Sequence, residues 1–262
     1  MKSVALPFLV IAGGYLLICA LYYLQQERLL FIGAAPASVP NHPRIHPVEH
    51  RVDGIALRGF EVVAMDRESD ITAIYFGGNA ENVAHTTWPM LDVGANVYLM
   101  NYRGYGDSEG EAGETALLRD ALASFDWIRD KHPASRMVAI GRSLGAAMAL
   151  HLAVHRELDG LILISPFTSI RDVAAHHFPW LPVKPLLKHP FDCMANASRV
   201  RTPALVIAAQ YDEVIPRRFT DGLRAALAAE SELHVIPNRD HNTLMGKALT
   251  WQLIRDYVRS LR

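Results

Sequence analysis

Cysteine, charge imbalance and clustered basic residues are what this 262-residue sequence has least of. It holds two cysteines, Cys19 in an apolar N-terminal run and Cys193 far from it, so they offer neither a disulfide framework nor a thiolate zinc site. Lys and Arg number 26 against 27 Asp and Glu, a net charge of −1, and the basic residues are scattered. That pattern gives a polyphosphate-binding face no electrostatic support, and nucleic acid is not expected as a partner. Metal-ligand spacing is missing too. His42, His46 and His50 repeat at helical spacing, but Pro40, Pro43 and Pro47 forbid the helix that would present them on one face. His151 and His155 stand at i, i+4 without the glutamate of an H-E-x-x-H motif and read as packed or capping residues.

Charge is absent from one long stretch. Val4 to Leu24, VALPFLVIAGGYLLICALYYL, runs for about 21 uncharged residues and as a helix would span roughly 31 Å, close to the hydrocarbon core of a bilayer. A single-pass membrane anchor is therefore expected over residues 1–28. The rival is a cleaved signal peptide, since APA at Ala35 to Ala37 fits a small-residue cleavage site. The run exceeds the apolar region of such peptides, however, and Gln25 to Arg28 separate it from that site. A buried globular helix would show a polar face, and none interrupts this run. Lys2 and the amino terminus nearly balance Arg28 and Arg44, so charge does not orient the anchor.

Residues 29–50, with the proline-rich AAPASVPNHPRIHPVEH, read as a linker, and 51–66 as short antiparallel strands. From Ile71 onward, short β-branched runs alternate with helical patterns: ITAIYFGG, ANVYLMNYRG, RMVAIG, LDGLILIS, TPALVIAAQ and ELHVIP, most of them followed by a helix. This predicts an α/β domain over 51–262, with a mainly parallel sheet covered by helices on both faces. Leu118, Ala121, Leu122, Phe125 and Ile128 form the apolar stripe of one such helix, and the helix after Arg142 is apolar nearly all round. Residues 170–200 break the rhythm with Pro179, Pro182, Pro185 and Pro190 and read as a small cap, with His176, His177 and His189 on its surface.

The chemistry centres on Gly141-Arg142-Ser143-Leu144-Gly145, a G-x-S-x-G where a buried strand must turn into a buried helix. Such an elbow holds serine in a strained conformation at the carboxyl end of a strand, where ligands of open α/β sheets sit. The helix terminus beneath it favours a developing oxyanion. Asp212 follows the strand ALVIAAQ and His241 follows ELHVIP, giving the order serine, acid, histidine. His241 would take the Ser143 proton while Asp212 fixes its tautomer. Glu213 and Asp240 compete for the acid's role, and Asp212 is favoured by its place at the strand end. Gly77 and Gly78 let a loop approach a reacting carbonyl, so the oxyanion donors are assigned to the backbone N–H groups of Asn79 and Leu144. Arg103 and Arg142 could hold an anionic substrate group; arginines so placed more often brace loops.

In order, YFGGNAENV, NYRGYGDSEG, GRSLG, YDEVIP and DHN resemble the membrane-anchored abhydrolase-domain branch of the α/β-hydrolase superfamily. The resemblance implies an α/β-hydrolase sheet, a Ser143, Asp212 and His241 triad, and neither metal nor organic cofactor. Departures are Gly77 where relatives often carry histidine, Gln210 where glycine commonly precedes the acid, and Asn238 and Asp240 where small residues commonly precede the histidine. The expected function is a membrane-anchored serine hydrolase cleaving an amphiphilic acyl ester or thioester, of lipid or lipidated-protein type, through an acyl-enzyme. The alternatives are a hydrolase-fold binding module and an acyltransferase.

Overall fold

The computed structural model describes residues 2–66 and 69–262, with the side chains of its first helix described from Pro7 onward. The expected anchor's first residue, Met1, and the side chain of Lys2 therefore lie outside the described residues.

Helix α1 runs from Lys2 to Leu30, two residues beyond the expected end of the anchor. Its segment Pro7–Leu30 is long and apolar enough to cross a membrane, and almost none of it is buried in the protein. Strands β1 (Ile45–Val52) and β2 (Ile55–Val62) form an antiparallel pair closed by Asp53 and Gly54, both at positive φ. Strand β1 corrects the expected linker of 29–50. Pairing begins at Ile45 despite Pro47, because β1 is the edge strand, where a residue without an N–H is tolerated. Phe31, Ala34 and Ala37 also pack on the core, so much of that stretch lies against the domain.

The remaining strands are β3 (Ile71–Phe76), β4 (Asn96–Met100), β5 (Arg136–Arg142), β6 (Gly160–Ile164), β7 (Ala204–Ala209) and β8 (Ser231–Ile236). They join β1 and β2 in one sheet of order β1-β2-β4-β3-β5-β6-β7-β8, parallel from β4 through β8. Successive side chains point to opposite faces, so each central strand feeds two cores. On β5, Met137 and Ala139 enter one core, with helices α3 (Glu114–Lys131) and α4 (Leu144–His155). Val138 and Ile140 enter the other, with Ile254 and Val258 of helix α9 (Ala248–Ser260).

Between β3 and β4 the expected helix is only a 3-10 turn (Val83–Thr86) followed by α2 (Thr87–Met90). Helix α3 buries Ala121, Phe125 and Ile128 of the predicted stripe, with Leu118 and Leu122 half-buried against the same core, and its inner face extends further to Leu117, Asp120 and Ser124. Asp120 is on the inner face because Arg103 clamps it with two hydrogen bonds of 2.6 and 2.5 Å. Within 170–200 lie helices α5 (Ile170–His177), α6 (Val183–Leu186) and α7 (Met194–Ala197). The second half of this insert is not surface cap: Phe191, Cys193, Ala197 and Val200 are buried in the core. Helix α8 (Arg217–Ala226) separates β7 from β8.

Candidate functional site

At the β5–α4 junction the chain reverses so tightly that Ser143 adopts φ +50° and ψ −116°. Both flanking glycines are required by close approach. A Cβ on Gly145 would lie 2.0 Å from the Phe76 carbonyl oxygen, and one on Gly141 would lie 2.4 Å from that of Gly145. With no side chain at either position, α4 seats directly on the ends of β5 and β3, and the serine side chain stands out at the carboxyl edge of the sheet.

Two loops from later in the chain meet it there. The Ser143 hydroxyl lies 3.0 Å from His241 Nε2, and His241 Nδ1 lies 2.9 and 3.1 Å from the two Asp212 carboxylate oxygens. Ser143 and His241 are both buried, and the Asp212 side chain is 3% exposed. The structure thus brings together all three side chains singled out in the sequence. The competing acids lie elsewhere: Glu213 is exposed, and Asp240 accepts hydrogen bonds from the Thr243 amide and, with a smaller effect, the Asn242 amide, which hold its carboxyl below the usual range. Asp212 also accepts from the Ile215 amide at 2.7 Å and from Ser165 Oγ at 2.9 Å.

The loop after β3 lies against the serine, since a Cβ on Gly78 would come 3.7 Å from Ser143 Cβ. Asn79 is fixed by its side chain, which donates to the Leu30 carbonyl at 2.6 Å and accepts from Tyr105 at 2.6 Å. Leu144 is the first residue of α4, so its N–H has no carbonyl within the helix to satisfy it.

Glu81 is a residue that sequence reasoning missed. Its buried carboxylate accepts from Gly78 N–H (2.8 Å), Tyr75 (2.8 Å), Thr86 (2.6 Å) and Arg142 (2.9 Å). Arg142 also donates to the His241 carbonyl at 3.3 Å. One ion pair therefore ties together the glycine loop, the serine elbow and the histidine loop, and Arg142 acts as a brace. Burial and the Glu81 charge push the Tyr75 and Tyr102 phenols well above their ordinary value. Both remain donors, Tyr102 to the Gly77 carbonyl at 2.7 Å. Ser165 was missed as well, although it directly follows β6 at the carboxyl edge of the sheet, as Asp212 follows β7 three residues on.

Residues 76–190 match a family described as serine aminopeptidase, S33. The chain is 34% identical over 250 residues to Rv2307c of Mycobacterium tuberculosis, covering 91% of this chain and 87% of that one. It is 34% identical over 145 residues to lysophosphatidylserine lipase ABHD12 of Macaca fascicularis, covering 48% of this chain and 36% of the lipase. Among solved structures, the Pyrococcus furiosus esterase Pf2001 matches with a TM-score of 0.68 and 20% identity, over 87% of this chain and 98% of that one.

Proposed function

The chain belongs to the α/β-hydrolase family and is a hydrolase, and on that premise we propose that it is a membrane-anchored serine hydrolase of acyl esters or thioesters. The observation that carries this reading is the hydroxyl–imidazole–carboxylate relay, 3.0 and 2.9 Å between neighbours, built on a serine held at positive φ. Ser143 Oγ attacks the substrate carbonyl as His241 Nε2 takes its proton, and Asp212 holds the imidazole in the required tautomer and stabilises the imidazolium. The Leu144 and Asn79 amides receive the oxyanion. Collapse of the tetrahedral intermediate expels the alcohol or thiol, which takes the proton from His241. Water, activated by the same histidine, then releases the acid from Ser143.

Two features support an amphiphilic substrate such as a lipid or lipidated protein. One relative is named a lysophosphatidylserine lipase. The other is Pro7–Leu30, read as a single-pass anchor, which would hold the site at a bilayer. The test is ester hydrolysis by the full chain in phosphatidylcholine vesicles. Ser143→Ala and His241→Ala should each lower kcat by at least about 10³ with the circular dichroism spectrum unchanged. A loss below tenfold in either variant contradicts the assignment.

A further inference from the structure

The cap does not rest on the sheet edge alone; it runs along α1. The Tyr15 hydroxyl donates to the Trp180 carbonyl at 2.9 Å, Gln26 Nε2 donates to the Leu186 carbonyl at 3.1 Å, and the Lys188 amide donates to Gln26 Oε1 at 2.7 Å. From Tyr15 to Leu30 the helix rises roughly 22 Å, so cap and helix share a long seam.

That seam encloses a groove of about 340 Å³, walled on the helix side by Cys19, Tyr23 and Leu29 and on the cap side by Phe178, Leu181 and Leu186. This lies within the range of small-molecule sites. The wall offers little to a polar ligand. The Gln26 amide is consumed by cap and helix backbone, and Lys188, beside the groove, has Glu27 at 3.3 Å. One end lies beside exposed Phe178 and Trp180, which with Tyr15 and Tyr22 form an aromatic cluster. Leu30 lines the other end, and its carbonyl is the acceptor for Asn79, on the loop that touches Ser143. The helix side of the groove belongs to a helix whose opposite face, with Leu17, Leu21 and Leu24, is exposed and apolar.

We propose that the groove between α1 and the cap is an acyl-chain channel that takes a single-chain amphiphile from the bilayer and delivers its carbonyl to Ser143. The occupant is a fatty acyl chain because the walls are apolar, bear no free charge and belong on one side to a helix long and apolar enough to cross a membrane. The delivery step rests on the hydrolase reading above; occupancy of the groove does not.

The test uses the full chain in phosphatidylcholine vesicles with lysophosphatidylcholine carrying a diazirine on its palmitoyl chain, the crosslinked peptides being mapped by mass spectrometry. Crosslinks should concentrate on 19–30 and 174–187, equally in wild type and Ser143→Ala, so the groove is read even if hydrolysis fails. Crosslinks spread around α1 with none in 174–187 would overturn the proposal. A second readout is the ratio of kcat/KM for a palmitoyl ester to that for an acetyl ester. Leu186→Trp on the cap side and Cys19→Phe on the helix side should each lower it at least tenfold, and an unchanged ratio in a folded variant would overturn the channel.

Discussion

The Asp212 carboxylate accepts from the Ile215 amide, Ser165 and His241 at once, so its orientation is fixed before any substrate arrives. An amide there would lose the negative charge that stabilises the imidazolium and could present N–H to Nδ1. Asp212→Asn should therefore lower kcat by about 10³ or more while KM changes little, as read from steady-state kinetics. A fall below tenfold would assign the orienting role elsewhere. Asp212 and His241 are legible in the sequence because each follows a parallel strand, a rule of topology. Glu81 is not, because its role is defined by Gly78, Tyr75, Thr86 and Arg142, brought together only by folding.

The elbow between β5 and α4 depends on an element interface that a single methyl group would break. Gly145→Ala forces α4 off the end of β3, which should cost about 2 kcal/mol or more by overpacking. Differential scanning calorimetry should show Tm lower by roughly 4–8 °C, whereas an unchanged Tm would mean the close approach is not required. On the same helix, burial, His155 and nearby arginines push His151 down to about 4 from 6.5. The fold favours its neutral form, so this contribution is complete above pH 6.5 and is lost as pH falls towards about 4. Urea midpoints should fall across that window, and less steeply in His151→Gln; parallel curves would contradict the assignment. Strand and helix alternation was readable from hydropathy. The inner face of α3 was readable in Ala121, Phe125 and Ile128 but not in Asp120, because a pattern that counts an aspartate as solvent-facing cannot register its bidentate pairing with Arg103. Strand β1 was hidden likewise, since Pro47 argues for a linker until the strand is known to be an edge.

Over the whole molecule, a mainly parallel sheet gathers its functional groups along one edge while a long apolar helix and the cap lie together beside it. The sheet and the three converging loops were foreseeable from strand order. The contact between Tyr15 and Trp180 was not, being set by tertiary packing across 165 residues. The measurement that bears most directly on the central claim is peptide mass spectrometry of the full chain after reaction with a fluorophosphonate. A single adduct on the Ser143 peptide is predicted, absent in Ser143→Ala and formed at least about 10²-fold more slowly in His241→Ala. A folded wild-type protein that takes no label, or takes it on another serine, would contradict the account.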